Sequence, residues 1–397
     1  LANIYLELDL PLQAAAELEK VLLSNKEVSI RQEAAWHAAA MYEKANDFNG
    51  AARLYESYVQ LFPSPLEQAI EARLKLSGIH NKNNNVKIRD YWLQEIVKAD
   101  RLGGGERTDR TRLMAAKVIF SMAEPAHKAF TDVRLVEPLQ KSLVLKKEKM
   151  ELALQAYNLA AESGVAEIAT AATYQSAKIY SDFGRALMDS QRPEGLTQDE
   201  LDQYNLLLEE QVFPFEEKAI QIHELNAQRT LKGIYDDSVR LSFTELGRLL
   251  PGRYGKFEKS EGFVFAGTLE NTVVDSMGNN GSEAKEAQER SLLRIVELSP
   301  GRTEAYNQMG IFYRHMGRFE DARKMYERAL HIDSGYQSAR FNLGILYDLY
   351  LANIPMALES YKKYLALVSS EDKQVSLWIA DLEKRHKSTQ KVAESKS

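Results

Sequence analysis

The sequence has no cysteine among its 397 residues. Disulfide frameworks, zinc–thiolate sites, iron–sulfur clusters and cysteine nucleophiles are therefore excluded. No uncharged apolar run approaches the ~20 residues that a membrane-spanning helix needs. A basic surface is not expected either, because 57 acidic residues outnumber 51 basic ones and the formal net charge is −6. With 44% hydrophobic and 27% charged residues, the composition is that of a globular chain, without the concentrated basic surface of a nucleic-acid-binding protein.

Recognisable catalytic motifs are also missing from the sequence. It has no P-loop, no G-x-S-x-G elbow and no dinucleotide-binding glycine motif. The run Gly103–Gly105 has no following Lys-Ser or Lys-Thr, so it predicts a turn rather than a phosphate cradle. His223-Glu224 lacks the second histidine of a helical zinc site, because Ala227 stands there. We therefore predict no catalytic residue, no cofactor and no metal site.

What the sequence does contain is a repeat of 34 residues. The clearest unit pairs an aromatic-x2-apolar-small-x2-aromatic pattern with small and aromatic positions after a turn. Its members are Tyr306, Met309, Gly310, Tyr313, Ala322, Tyr326 and Ala329. Leu343 and Gly344 lie 34 residues after Met309 and Gly310, whereas the later positions lie 35 residues on. The turn at Leu351–Pro355 is therefore expected to hold one extra residue.

The same signature opens the chain. A step of nine residues from tyrosine to alanine joins Tyr5 to Ala14 and Tyr42 to Ala51, and Pro63 follows. This resembles the tetratricopeptide repeat (TPR) family over residues 1–65 and 282–390. The resemblance implies an all-α solenoid of helical hairpins wound as a right-handed superhelix, in which neighbouring hairpins bury each other's apolar faces.

The pattern divides the chain into four predicted segments. These are an N-terminal TPR segment (1–101), a degenerate TPR-like segment of long helices (102–260), an irregular joint (261–281) and a C-terminal TPR segment with a capping helix and polar tail (282–397). The joint is expected to be a poor helix, a short hairpin or a loop. The first repeat is truncated, since Leu1 falls partway along its first helix, so we expect a missing N-terminal portion to carry any targeting signal.

Helical periodicity and turn residues predict the individual helices of the middle and the end of the chain. The predicted helices are Leu66–His80, Val86–Ala99, Thr108–Glu124, Leu139–Ser163, Val165–Ser190, a helix from the Thr197 capping box to Gln211, Phe215–Leu231, Lys232–Leu250, Glu283–Leu298 and Glu371–Arg385. The last carries an apolar stripe of Val375, Trp378, Ile379 and Leu382, and a frayed polar tail is expected after it.

TPR arrays bind through the solvent-facing residues of the first helix of each repeat, here called the groove face. By helical spacing, the predicted groove face consists of Glu33, Trp36, Ala40, Glu43, Asn307, Ile311, Arg314, Phe341, Ile345 and Asp348. Apolar floors with charged rims suit an amphipathic helix or an apolar extended peptide. The alternative is that these residues pack against a neighbouring repeat.

The stretches 200–229 and 371–385 carry a resemblance, covering about residues 150–385, to proteobacterial TPR proteins associated with TonB/ExbB/ExbD-type motors or gliding-motility machinery. This resemblance implies a periplasmic, non-enzymatic scaffold whose partners are protein segments of an envelope assembly. The alternative is an enzyme or enzyme subunit in which TPR arms flank a helical domain acting on an envelope glycan or peptide. Its candidate metal-dependent residues are His223, Glu216 and Glu217.

Overall fold

The computed structural model describes residues 1–260 and 282–394, and every regular element within those ranges is helical. The all-α class and the helical hairpins expected from the sequence are thereby confirmed. The predicted joint at 261–281 lies outside the described residues. The chain forms two compact units: unit 1 comprises Leu1–Ile179 and Ala186–Asp202, and unit 2 comprises Tyr180–Arg185 and Gln203–Ser397.

The helices are numbered here in chain order. Those up to residue 188 are α1 (Ala2–Glu7), α2 (Pro11–Ser24), α3 (Val28–Lys44), α4 (Phe48–Leu61), α5 (Leu66–Lys82), α6 (Val86–Leu102), α7 (Asp109–Met122), α8 (Glu124–Asp132), α9 (Leu139–Ala161) and α10 (Ala166–Met188). Those that follow are α11 (Gln198–Gln228), α12 (Asp237–Leu249), α13 (Pro251–Tyr254), α14 (Ser282–Leu298), α15 (Thr303–His315), α16 (Phe319–Ile332), α17 (Gln337–Ile345), α18 (Ile354–Leu367) and α19 (Lys373–Glu394).

One turn geometry closes the repeated hairpins. The carbonyl oxygen of Tyr313 accepts a hydrogen bond from the backbone N–H of Arg318 at 2.8 Å, and Gly317 between them has a φ of 74°. Left-handed backbone at this point reverses the chain so that the second helix packs back onto the first. The same bond recurs from Leu10 to Tyr5 at 2.8 Å, from Asp47 to Tyr42 at 2.9 Å and from Asn85 to His80 at 2.8 Å.

The extra residue in the last repeat is absorbed at the end of α17. There the helix widens into a π turn over Leu346–Tyr350. The closing bond then spans one residue more than in the other repeats, because the N–H of Asn353 donates to the carbonyl of Tyr347 at 2.8 Å. The insertion predicted near Leu351–Pro355 is therefore accommodated without disturbing α18.

Glycine is required where the two helices of a repeat come closest. A methyl group on Gly310 would overlap the ring of Tyr326, and one on Gly344 would lie 2.6 Å from ring atoms of Tyr361. Both rings are fully buried. The large aromatic residue of the second helix thus packs directly on the small residue of the first.

Three predicted helix limits are wrong: the break at Pro214, the start at Lys232 and the end at Arg385. The break expected at Pro214 does not occur, because α11 continues through it with Val212 and Ala219 buried on either side. The helix expected from Lys232 begins at Asp237, since Gly233 has a φ of 73° and the carboxylate of Asp236 caps the new helix.

The expected frayed tail is helical as far as Glu394. The stripe that docks this last helix is confirmed for Val375, Trp378 and Leu382, which are buried. Two helices were missed by the prediction, α8 and the short α13, and each has a proline in its first turn. A missing N–H costs nothing there.

Candidate functional site

A non-helical stretch of the chain, Lys256–Ser260, lies against the first helices of the two C-terminal repeats in unit 2. It follows α13 directly and contacts α15 and α17. We call it the internal segment. Its contacts fall on the groove face, and they involve both its backbone and its side chains.

Two asparagines hold the backbone of the internal segment. The N–H of Lys259 donates to Oδ1 of Asn342 at 2.7 Å. Its carbonyl oxygen accepts from Nδ2 of Asn342 at 2.8 Å and from Nδ2 of Asn307 at 3.0 Å. Asn342 also donates to Oδ1 of Asn307 at 2.9 Å, so the pair is fixed in one orientation. Both amides are fully buried, which makes these bonds obligatory, since a buried amide without partners is costly.

Glu258 enters a cationic position on α15. Its carboxylate accepts from Nε of Arg314 at 2.9 Å and from the hydroxyl of Tyr326 at 2.6 Å. Burial lowers the pKa of Arg314, but the adjacent Glu258 outweighs it and raises that pKa well above its usual value. Arg314 therefore remains charged, and its bonds to Glu258 are charge-assisted.

Lys256 enters an anionic position at the end of α17. Its ammonium group pairs with Asp348, and the exposed fractions of the two side chains are 1% and 0%. Nη2 of Arg385 on α19 reaches the other carboxylate oxygen at 3.1 Å. The ammonium also lies 4.6 Å from the centroid of Trp378. Burial lowers the pKa of Lys256, and Asp348 opposes that change.

The remaining side chains of the segment differ in exposure. The ammonium of Lys259 bonds the hydroxyl of Tyr364 and lies 4.4 Å from the centroid of Phe341. Ser260 accepts a hydrogen bond from Nε2 of Gln308 at 2.6 Å. Phe257, between the two inward charges, is 84% exposed. Lys256 and Glu258 therefore face inward on either side of the outward Phe257, and Lys259 also contacts the groove face.

The helix before the segment is fixed by α11. Glu224 accepts from Nη1 of Arg253 at 2.7 Å and from the hydroxyl of Tyr254 at 3.0 Å. Burial raises the pKa of Tyr254, which keeps that hydroxyl protonated as a donor. These bonds set the position from which the internal segment starts.

In unit 1, the groove face of α3 carries an aromatic cluster and an ion pair. Trp36 is half-buried and packs edge-on against Tyr55 and Tyr58, with centroids 5.6 and 5.5 Å away. Glu43 accepts from the hydroxyl of Tyr55 and from Nζ of Lys75 on α5, both at 2.9 Å. Neighbouring repeats are thus linked along this face.

Residues 301–370 match the tetratricopeptide repeat family model. The chain contains tetratricopeptide repeats. No curated protein matches it.

Several solved structures resemble this TPR chain. One is Acl4, an assembly chaperone of RpL4, at 11% identity over 91% of this chain and 99% of that one, with a TM-score of 0.25. Another is the TPR domain of P58(IPK), at 11% identity over 98% and 97%, with a TM-score of 0.25. A third is yeast Tom70, at 10% identity over 97% and 95%, with a TM-score of 0.23.

Three of the groove-face residues predicted in the C-terminal TPRs contact the internal segment, namely Asn307, Arg314 and Asp348. The three apolar ones, Ile311, Phe341 and Ile345, are buried. The expectation that these apolar residues face solvent is therefore wrong. The alternative reading, packing within the array, describes Phe341, whose ring lies 5.1 Å from Tyr364 and 5.7 Å from Trp378.

The predicted residues of the N-terminal TPRs differ in exposure. Glu33 is exposed, whereas Trp36, Ala40 and Glu43 are half-buried. Glu43 and Trp36 take part in the contacts described above. Binding of a partner at these positions stays a prediction.

The sequence analysis missed the internal segment altogether, and it missed three of the residues that contact this segment: Asn342 on a first helix, and Tyr326 and Tyr364 on second helices. One signal was available for Asn342, which lies 34 residues after Gln308, so both repeats carry an amide at this position. The internal segment gave no such signal, because its partners lie up to 105 residues away in sequence.

The candidate metal-dependent residues do not form a cluster. His223 is buried, and burial lowers its pKa to about 4, whereas Glu216 and Glu217 are exposed. Within residues 1–260 and 282–394, no three such side chains converge in a way that could hold a metal ion. In that same part of the chain, no helix has the length and apolar character needed to cross a bilayer.

Proposed function

We propose that this chain is a non-enzymatic TPR scaffold that holds segments of partner proteins on its groove faces. The observation that supports this is the paired amide grip of Asn307 and Asn342 on the backbone of Lys259. Main-chain N–H and C=O groups are common to all polypeptides, so this surface has the chemistry to hold an extended chain. No observation on the described residues favours the enzymatic alternative.

We further propose that the assembly is a bacterial envelope complex of the TonB/ExbB/ExbD or motility type, and that the chain is periplasmic. The support for this is the resemblance of 200–229 and 371–385 to TPR proteins of those systems. Both stretches contribute to the C-terminal site, since Glu224 fixes α13 and Arg385 pairs with Asp348.

The scaffold function is tested by quantitative capture from a native envelope extract with mass spectrometry. The informative change is Trp36→Ala, because Trp36 is half-buried on the N-terminal groove face. Leu23→Ala is the matched control, since this leucine is 83% exposed on α2, the second helix of its hairpin. Phe341→Ala is not suitable, because truncating a buried aromatic costs about 3–5 kcal/mol and would damage the fold.

We expect motor or TonB-like proteins to be enriched by the unchanged chain and by Leu23→Ala, and to be reduced by Trp36→Ala. Equal capture by all three chains would contradict the choice of this groove face. Capture of proteins without any envelope component would contradict the envelope context alone. Cell fractionation of the native host, followed by immunoblotting, tests the periplasmic location directly.

A further inference from the structure

The charges on the C-terminal groove face are matched by charges from the internal segment. Arg314 is held by Glu258, and Asp348 is held by Lys256 together with Arg385. Buried charges are costly unless they are paired and hydrogen-bonded. Together with the two buried asparagine amides, these charges require an occupant of complementary chemistry on this face.

The internal segment is held almost entirely by polar contacts. Its one large apolar side chain, Phe257, points outward and is 84% exposed. Apolar burial is the main force that fixes a segment permanently in a fold. Leaving these buried charges and amides unpaired would be costly, but a partner that offers the same ion pairs and hydrogen bonds restores them, so exchanging one segment for another costs little. A segment attached in this way can be replaced by another that offers the same polar groups.

The contacts also define what such a replacement must carry. One position needs a cation for Asp348, the second faces outward, and the third needs a carboxylate for Arg314 and Tyr326. The fourth needs a free N–H and C=O for the two asparagines, and a cation over Phe341. The required pattern is therefore lysine, any residue, glutamate, lysine.

We propose that the groove face of α15 and α17 is a binding site for an extended partner segment of sequence lysine–any residue–glutamate–lysine, and that Lys256–Ser260 occupies this site until such a segment displaces it. This inference rests on the proposed scaffold function and adds to it the ligand class and a built-in competitor. The outward Phe257 is not read by the groove face, so its position in a partner is unrestricted.

The test uses a fluorescein-labelled peptide, YGKFEKS, blocked at both ends, and fluorescence anisotropy. Glu258→Lys places an ammonium group against Arg314 and should release the internal segment. We expect this variant to bind the peptide at least about tenfold more tightly than the unchanged chain does. A tenfold difference in Kd corresponds to the free energy of about one favourable contact, which the released internal segment no longer makes with the groove face. Phe257→Ser is the matched control, since it alters the segment at a side chain that faces solvent.

The specificity control is a second peptide, YGKFKKS, in which the carboxylate is replaced by a cation. It should bind none of the three chains, because Arg314 would face a like charge. The proposal would be overturned if a folded Glu258→Lys variant failed to bind YGKFEKS. It would also be overturned if this variant and the unchanged chain bound the peptide with equal affinity. Circular dichroism and thermal melting establish that the variant is folded.

A second measurement needs no change in the segment. The N–H of Lys259 is bonded to Asn342, so its hydrogen exchange should be slow in the free chain. Millimolar YGKFEKS should accelerate exchange across 256–260, and YGKFKKS should not. Absence of acceleration overturns the proposal even if Glu258→Lys does not fold. The proposed scaffold function is tested independently, because capture of partners through Trp36 does not depend on this segment.

Discussion

The ion pair between Lys256 and Asp348 offers a sharp energetic test. Their side chains are 1% and 0% exposed. In Asp348→Asn the amide keeps the shape of the carboxylate but not its charge, so the Lys256 ammonium is left buried and unpaired beside Arg385. Removing one partner of a buried pair costs about 3–5 kcal/mol. For a unit of this size, that corresponds to a melting temperature about 10 °C lower.

The double variant Lys256→Met/Asp348→Asn separates the pair from its surroundings. Methionine has a similar length and no charge, so the buried unpaired ammonium is eliminated. Arg385 is 24% exposed at its side chain, so water can hydrate its guanidinium after the change. We therefore expect the double variant to recover at least about half of the lost stability, because apolar replacement of a buried pair is often close to neutral.

The measurement is urea unfolding followed by tryptophan fluorescence. The chain has three tryptophans, so a Trp36→Phe/Trp92→Phe background leaves Trp378 as the single reporter. That indole lies 4.6 Å from the Lys256 ammonium and reports on unit 2. If Asp348→Asn lowered the free energy of unfolding by less than about 1 kcal/mol, the loss would be that of an exposed ion pair. This result would refute the burial of the Lys256–Asp348 pair. A double variant no more stable than the single one would refute the pairing.

Further predictions concern packing, pH and capping. Gly310→Ala should cost about 1–3 kcal/mol, because the added methyl meets the Tyr326 ring. Gly78→Ala in α5, with no atom within 4 Å, should instead stabilise by about 0.5–1 kcal/mol; thermal melting compares the two, and equal effects would contradict the close approach. Burial lowers the pKa of His223 to about 4, so stability is complete above the unfolded pKa of about 6.5 and falls by about 3 kcal/mol towards pH 4. In urea titrations at pH 7 and 4.5, the difference in unfolding free energy between the two pH values should be smaller for His223→Asn than for the unchanged chain. An equal difference in both chains would refute this prediction. Thr108→Ala removes the cap on α7 and should lower the free energy of unfolding by about 1 kcal/mol. A chemical denaturation series measures this loss, and an unchanged free energy of unfolding would contradict it.

The repeat architecture was predictable because it depends on the spacing of residues that are close together in the sequence. The step from Tyr313 to Ala322 encodes one helix end, one left-handed turn and one new helix, all within nine residues. The same step at Tyr42 and Ala51 gave the N-terminal hairpin. The continuation of α11 through Pro214 was not predictable in this way, because it is favoured by packing of Phe215 on Phe183, with centroids 4.4 Å apart.

The C-terminal site was only partly predictable, since helical spacing gives the side of a helix but not what covers it. Asn307, Arg314 and Asp348, predicted on the groove face, contact the internal segment. The neighbouring residues Ile311 and Ile345 were expected at the surface, yet they are buried. Their burial follows from tertiary packing, which depends on residues far apart in sequence and leaves no periodic signal.

The contacts of the internal segment show that the groove face binds through polar groups rather than through apolar side chains. Spacing alone favoured an apolar peptide, because Phe341 and Ile345 stood out as large side chains on a first helix. In the folded chain those side chains belong to the core, and the residues that reach the occupant are amides, charges and ring faces. Phe341 contributes its ring face to the Lys259 ammonium rather than an apolar contact. An apolar helix would leave Arg314 and Asp348 without the counter-charges that the internal segment gives them, at a desolvation cost that its burial would have to exceed. The physical chemistry of this face therefore favours a charged, extended segment over the amphipathic helix or apolar extended peptide that the sequence pattern suggested.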